Sequence, residues 1–473
     1  VLFRSSVRRS GATNLNLITS SEEVIVSENA NAINNDTRFF SLQQDLGAVY
    51  KIDTTGSEWD TKFSYSFNDN TNAQVYRSVF LQPLNATLAG EGDNAQNRHF
   101  FLFQSDLTYL FPNKIKLETG VKSTWQRYNS KADYFFNING DLVEDFLRTN
   151  TFRYRENINA AYAQASKPLP GNFLLKAGVR MEHTYMKGRQ VIPGDTSFVI
   201  SRADWFPYVY LSRPLFTIAT YEMRAYAIYR RTISRPGYQN LNPYIKYIDQ
   251  YLYEVGNPAL QPQFTDNYEL NISFDDMPIF AIGRNYTQDI FSDVVYQDPF
   301  YENIAVRTFD NLGKNKETYF RIVGALPPGG KYFFVAGAQY NLNEYNGLYE
   351  GEALTFKRGS WRFFTFHSLS ITKTTKLTMN GFMMLNGQQN FYELETFGQL
   401  NFGLTQTFMD RKLSITLNAN DVLRTMETRF TLNQGSISTD GSRYSDNQRF
   451  GVNVRYNFGV KKKEEKRGGM QLD

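Results

Sequence analysis

The sequence predicts an all-β chain: a transmembrane, antiparallel, up-and-down β-barrel. Three observations predict it. The first is the final strand, where Phe450, Val452, Val454, Tyr456 and Phe458 alternate with Arg449, Gly451, Asn453, Arg455 and Asn457. Successive side chains of a strand point to opposite faces, so one face is greasy and the other polar. The second is a regular alternation of short turns with long polar connections, which matches the short-turn and long-loop asymmetry of membrane barrels. The third is composition. No run approaches the ~20 apolar residues that a membrane helix needs, yet 16% of residues are aromatic, as interfacial girdles of a barrel require.

Mean hydropathy is -0.47, a value that a barrel reaches because its lumen face and loops are polar. The net charge of +4 is too small to imply nucleic acid, and with 0 cysteines no disulfide, thiolate nucleophile or zinc-thiolate site is available. The chain starts at Val1, and residues 1–9 hold no apolar core of the length a signal peptide needs. A secreted barrel must carry one, so the chain is read as a fragment truncated at its N-terminus.

In chain order, short turns are expected near 54–57, 112–114, 168–172, 213–214, 275–278, 327–330, 373–376 and 410–412, where Gly, Pro, Asn and Asp supply tight backbone geometry. Long connections rich in Asn, Asp, Gly and Tyr fall near 70–97, 128–150, 188–202, 234–263, 345–360 and 425–445; those near 297–302 and 391–394 look shorter. Between them the period is two. In 173–182 the apolar set is Phe173, Leu175, Ala177, Val179 and Met181, against Lys176, Arg180 and Glu182; Leu413, Ile415, Leu417 and Ala419 repeat it. No helix longer than two turns is predicted. Two strands per short turn give roughly 17 strands after residue 38. The division expected is a truncated barrel segment at 1–37, the barrel at 38–459, and a charged periplasmic tail at 460–473.

One stretch carries a family signature. Residues 231–244 contain Arg235, Pro236, Leu241, Asn242 and Pro243; residues 256–263 contain Gly256, Asn257, Pro258, Leu260 and Pro262; then come Tyr268, Glu269 and Leu270. This resembles the "R-P … L-N-P … G-N-P-x-L-x-P-E … Y-E-L" signature of TonB-dependent outer-membrane receptors, most of all the Bacteroidota-type β-barrel family. Gln263 stands where Glu is usual. The ending Tyr456-Asn457-Phe458 resembles the C-terminal insertion signal of outer-membrane barrels, with Tyr456 and Phe458 as its aromatics. The resemblance implies a barrel of about 22 strands, of which roughly 16–18 lie here. It also implies a plug domain and a TonB-contacting segment, neither visible in the sequence, and a chain that does not transport on its own.

Physically, Pro236, Pro243, Pro258 and Pro262 cannot lie in central paired strands, so they belong to a long loop. Two roles are open to them: shaping that loop or touching ligand. Tyr238, Tyr244, Tyr247, Tyr251 and Tyr253 form its aromatic cluster and suit ligand capture, or they pack the loop on itself. Charged strand residues such as Arg180, Glu182, Glu222, Arg224, Glu269, Arg362 and Arg455 are costly against lipid and are expected in the lumen, holding a plug or lining water. The histidines His99, His183 and His367 are far apart in sequence, so no catalytic, metal or cofactor site is assigned.

The function expected is active nutrient uptake in a Gram-negative outer membrane, driven by TonB and without bond chemistry. A passive porin-like channel is the alternative, and an outer-membrane hydrolase a third class that the sparse histidines disfavour. The partners implied are outer-membrane lipid, the plug, TonB, the barrel-insertion machinery and an extracellular ligand, with no nucleic acid.

Overall fold

The computed structural model describes residues 2–19, 25–82, 85–146, 148–218, 221–243, 245–247, 252–275, 277–300, 304–326, 330–389, 392–434 and 437–458. Among the described residues, helix is confined to Pro170–Asn172 and Tyr238–Leu241. Twenty-one strands share one sheet, and four shorter ones form a second.

The meander is read from its pairings. Leu2–Thr19 pairs antiparallel with Ile25–Lys51, followed in turn by Glu58–Gln82, Ala86–Leu110, Lys116–Ile138, Asn150–Leu169, Phe173–Ile192 and Thr196–Ile218. Tyr221–Ser234, Gln263–Phe274, Met277–Gln297 and Ala305–Leu326 continue it. Tyr332–Tyr349, Glu352–Ser370, Thr375–Leu385, Phe397–Phe408, Leu413–Asn420 and Arg449–Tyr456 complete it. Eighteen strands thus run up and down, within the range the sequence predicts. Residue 38 lies inside the continuous strand Ile25–Lys51. The tail 460–473 and the turn residues 327–329 lie outside the described residues.

Compact packing divides the chain in two. One unit comprises Val1–Leu215, Tyr226–Tyr268 and Asn285–Lys314; the other comprises Phe216–Ala225, Glu269–Arg284 and Asn315–Asp473. In the second unit the alternating sets separate as expected. Leu413 faces Tyr456, Ile415 faces Val454, Leu417 faces Val452 and Ala419 faces Phe450, while Ser414, Thr416 and Asn418 face Arg455, Asn453 and Gly451. Directly opposed residues share a face. The apolar face extends through Leu404 to Leu377 and through Phe402 to Met379. In the first unit Glu182, Thr184, Met186 and Gln190 are buried on one face, while Tyr185 on the other is exposed.

Several predicted long connections are paired strands instead. Glu58–Gln82 and Ala86–Leu110 pair from Glu58 opposite Thr108 to Phe80 opposite Ala86. At ~3.3 Å per residue, this 25-residue strand far outruns the ~9–11 residues that cross a bilayer. Apolar alternation marks only the stretch that meets lipid. Beyond it, across 68–74, both faces are mostly polar, and the ladder continues without that signature. Residues 345–360 are likewise paired, Tyr349 opposite Glu352. Residues 425–445 form the hairpin Glu427–Gln434 and Ile437–Tyr444, joined by Tyr392–Leu394 and Gln388–Gln389 in the small second sheet. The turn predicted at 213–214 is absent, since Thr196–Ile218 runs straight through it.

The first short turn has a clear cause. The Asp53 carboxylate accepts from the N–H groups of Thr55 (2.8 Å), Gly56 (3.0 Å) and Ser57 (3.0 Å). Hydrogen bonding from the Ser57 side chain, ahead of the backbone donors, holds its carboxyl well below the usual range.

The face assignment has a direct consequence at the last strand. A charge at the bilayer midplane of the lipid face costs ~2–4 kcal/mol, and a lumen substitution far less. Val454→Arg is expected to impair folding into lipid vesicles by that amount, and Asn453→Arg to leave it nearly unchanged. Equal losses in a denaturant titration of the two variants would contradict the assignment.

Candidate functional site

The family-signature loop, 235–262, packs onto the buried face of the first unit. It is built from the residues upward. Arg235 opens it: its guanidinium forms an ion pair with the Glu182 carboxylate and donates to the Thr184 hydroxyl at 3.2 Å. Arg180, two residues along the same strand face, also pairs with Glu182 at 2.6 Å. Pro236 and Pro262 are both buried, and Pro at these points costs no ladder bond because the chain has left the sheet.

A single helical turn, Tyr238–Leu241, follows. Leu241 and Leu260 are fully buried in a cluster with Tyr128, Phe152, Tyr154 and Met186. The Tyr238 ring lies 4.0 Å from the Tyr128 ring, centroid to centroid. Gly256 N–H donates to the Asn242 carbonyl at 2.8 Å, and Asn257 N–H to the Asn240 carbonyl at 2.7 Å. A Cβ on residue 256 would stand 2.4 Å from that Asn242 oxygen, so only glycine closes this bridge. The Asn257 side chain then donates to the Phe309 carbonyl at 3.0 Å and accepts from Ala259 N–H at 2.9 Å. Leu252–Glu254 adds a short parallel pairing to residues 305–307.

Arg235, Leu241, Gly256, Asn257 and Leu260 thus make contacts that hold the loop, and Asn242 and Gly256 also line the cavity beside it. Tyr268, Glu269 and Leu270 divide by alternation. Tyr268 and Leu270 are exposed, while Glu269 accepts hydrogen bonds from Tyr319 and Asn271. Of the loop tyrosines, Tyr238 packs on the wall and Tyr253 donates to Asp298 at 2.8 Å. Tyr247 sits in the two-residue strand Lys246–Tyr247, and Tyr244 and Tyr251 lie outside the described residues. At the C-terminus the Tyr456 and Phe458 rings are 5.8 Å apart, and Asn457 N–H donates to the Lys412 carbonyl at 2.8 Å.

Several charged strand residues pair with neighbours two positions along, which alternation puts on their own face. Glu222 pairs with Arg224, Arg202 with Asp204 at 2.8 Å and Lys116 with Glu118 at 2.6 Å. The histidines each have a local hydroxyl neighbour: Tyr65 for His99 (3.0 Å), Ser201 for His183 (3.3 Å) and Tyr332 for His367 (2.6 Å). Among the described residues no group of three His, Asp or Glu is placed to hold a metal ion.

The loop walls a cavity of about 1460 Å³ that lies wholly within the first unit. Asn35, Asn72, Gln74, Asn94 and Gln96 line it from the paired strands, and Tyr238, Asn240 and Asn242 from the loop. Sequence reasoning missed this wall because 70–97 reads as a connection. The signal was present as amides at two-residue spacing, Asn70, Asn72 and Gln74.

An apolar face, an opposite polar face and an infolded loop define the wall of a membrane barrel. Residues 50–456 match the outer membrane protein beta-barrel family, and the chain belongs to it. It resides in the outer membrane of a Gram-negative bacterium. In fold it is similar to the ferric yersiniabactin uptake receptor FyuA from Yersinia pestis, with 13% identity, 97% of this chain and 76% of that one covered, and a TM-score of 0.54. It is also similar to the ferric-catecholate import receptor Fiu from E. coli K12, with 12% identity, 95% and 77% covered, and a TM-score of 0.52. The copper transporter OprC gives 9% identity, 96% and 76% covered, and a TM-score of 0.54. No curated protein matches the chain in sequence.

The loop anchor is testable. Breaking a buried ion pair costs ~3–5 kcal/mol, and less where a second cation compensates the stranded carboxylate, as Arg180 does here. Arg235→Ala is expected to cost about 2 kcal/mol of loop closure. Amide exchange within 235–262 should rise about 30-fold, with exchange in Phe173–Ile192 unchanged. Arg235→Lys should restore part of the protection, since it keeps the charge and loses the fork. Unchanged exchange in Arg235→Ala would show that the pair does not hold the loop.

Proposed function

We propose that this chain forms the barrel of a TonB-dependent receptor for active nutrient uptake. Cargo enters from the extracellular side and binds the cavity beneath the loop 235–262. TonB then acts through a plug domain of the complete receptor. The barrel supplies the wall and the binding rim, and its charged lumen face is where a plug would be held by ion pairs. Tyr238, which lines the cavity, is the loop tyrosine that touches cargo in this reading, and Tyr456 with Phe458 serves the insertion machinery.

The observation that carries this reading is the infolded signature loop. The loop is pinned by the Arg235–Glu182 ion pair, the Gly256 bridge and two fully buried leucines. A loop so held presents a fixed surface to a ligand, which lowers the ordering cost of binding. Likeness in fold to receptors whose names state uptake or import supports the same reading.

In cells carrying the complete gene, cargo uptake is expected to fall at least tenfold when TonB is removed or the inner-membrane proton gradient is collapsed. Passage of small sugars at a rate that neither treatment changes would contradict the receptor and support the porin.

A further inference from the structure

We infer that the cavity takes a neutral, polyhydroxylated ligand, an oligosaccharide. The inference deepens the uptake reading above and rests on it for the identity of the site. It starts from the lining. Among the described residues, twelve of the 33 that line it are Asn or Gln, and only five are charged. Each charged group already has a partner. Arg148 pairs with Asp145 at 3.5 Å, Arg307 pairs with Glu254 at 2.8 Å, and Asp293 accepts from the Ser292 hydroxyl at 3.3 Å. An anionic ligand would need cations free to meet it, and a cationic ligand would need free carboxylates.

A carboxamide carries two donors and an acceptor oxygen, and a hydroxyl is both donor and acceptor. An array of amides therefore matches a ligand whose polar groups are hydroxyls. The array is held in place by its own bonds. Asn72 and Gln74 both donate to the Asn35 oxygen, at 3.1 and 3.0 Å. The Thr37 hydroxyl donates to the Asn72 oxygen at 2.8 Å, and Asn94 donates to the Tyr134 hydroxyl at 2.9 Å. These bonds leave amide donors and lone pairs unspent along the wall.

A second observation is independent of composition. Asn70 and Gln96 line the cavity, and their side chains make no hydrogen bond among the described residues, so their donors and acceptors are open to a ligand. Aromatic rings complete the match. Tyr128, Tyr238 and Phe309 line the same space, and a ring face is the surface on which the C–H face of a sugar packs. The volume, about 1460 Å³, exceeds the ~300–1,000 Å³ of pockets for drug-sized molecules, which leaves room for several linked sugars.

The test is equilibrium binding by calorimetry to the complete gene product in detergent. The probes are maltohexaose, cellohexaose, xylohexaose and mannohexaose, with ferric enterobactin as an anionic probe and hexa-alanine as a peptide probe. At least one hexasaccharide is expected to bind, with an affinity that changes less than twofold between 50 and 500 mM NaCl. Asn70→Leu and Gln96→Leu are each expected to weaken it at least tenfold. Neither side chain makes a hydrogen bond among the described residues, and an unchanged heat-modifiable gel shift will show that each variant is folded. Binding of ferric enterobactin or hexa-alanine in preference to every sugar would overturn the inference. So would silence from all four sugars at millimolar concentration, or sugar binding that both variants leave intact. Because no TonB is present, failure here leaves the energy-dependence of uptake standing as a separate question.

Discussion

Inside hydrocarbon every backbone N–H and C=O must find its partner within the protein, at several kcal/mol for each that does not. The rest of this molecule depends on that constraint. A meander of antiparallel strands satisfies it, and strand alternation then gives the chain two faces with separate tasks. One face carries Val452, Val454, Leu417 and Leu404 and meets lipid. The other is free to be polar, charged and functional.

The polar face does more than line water. Its charges are neutralised along their own strands, as Arg180 with Glu182 and Arg202 with Asp204 show. Such pairs leave local positions where one further cation can dock, and Arg235 uses one of them to bring the signature loop inward. Once the loop is docked, Leu241 and Leu260 bury against Tyr128, Phe152 and Tyr154. The Gly256 bridge then closes the loop on itself. Arg235, Leu241, Gly256, Asn257 and Leu260 of the signature thus hold the loop on the wall, and the cavity lies beside it.

Much of the fold was legible in the sequence, and the limits have a physical cause. The final strand and Leu413–Asn420 alternate cleanly because one side meets lipid and the other does not, and their register bears this out. The strand Glu58–Gln82 was only half legible. Its start, with Trp59, Phe63 and Phe67, shows the apolar alternation, but across 68–74 both faces are mostly polar and the pattern reads as a loop. The prolines placed 234–263 in a long loop, and Pro236, Pro243, Pro258 and Pro262 lie outside its strands, although Lys246–Tyr247 and Leu252–Glu254 pair within the sheet. Nothing in residue spacing could say that this loop folds inward, because Arg235 and Glu182 are 53 positions apart. The amide wall was visible as Asn70, Asn72 and Gln74 at strand spacing, yet amides at that spacing carry no hydrophobic signal and pass for loop composition.

Single-cysteine spin labels report which side chains meet lipid and which meet water, and these 473 residues, with 0 cysteines, add no background to them. Labels placed one at a time along Leu413–Asn420 and along 68–76 in the bilayer-reconstituted complete protein would report access to oxygen and to an aqueous nickel complex. The account predicts a strict two-residue alternation along Leu413–Asn420, with oxygen access at 413, 415 and 417 and aqueous access between them. It predicts no oxygen maximum along 68–76, where the paired strands stand clear of the bilayer. Uniform aqueous access along Leu413–Asn420, or an oxygen alternation along 68–76, would contradict it.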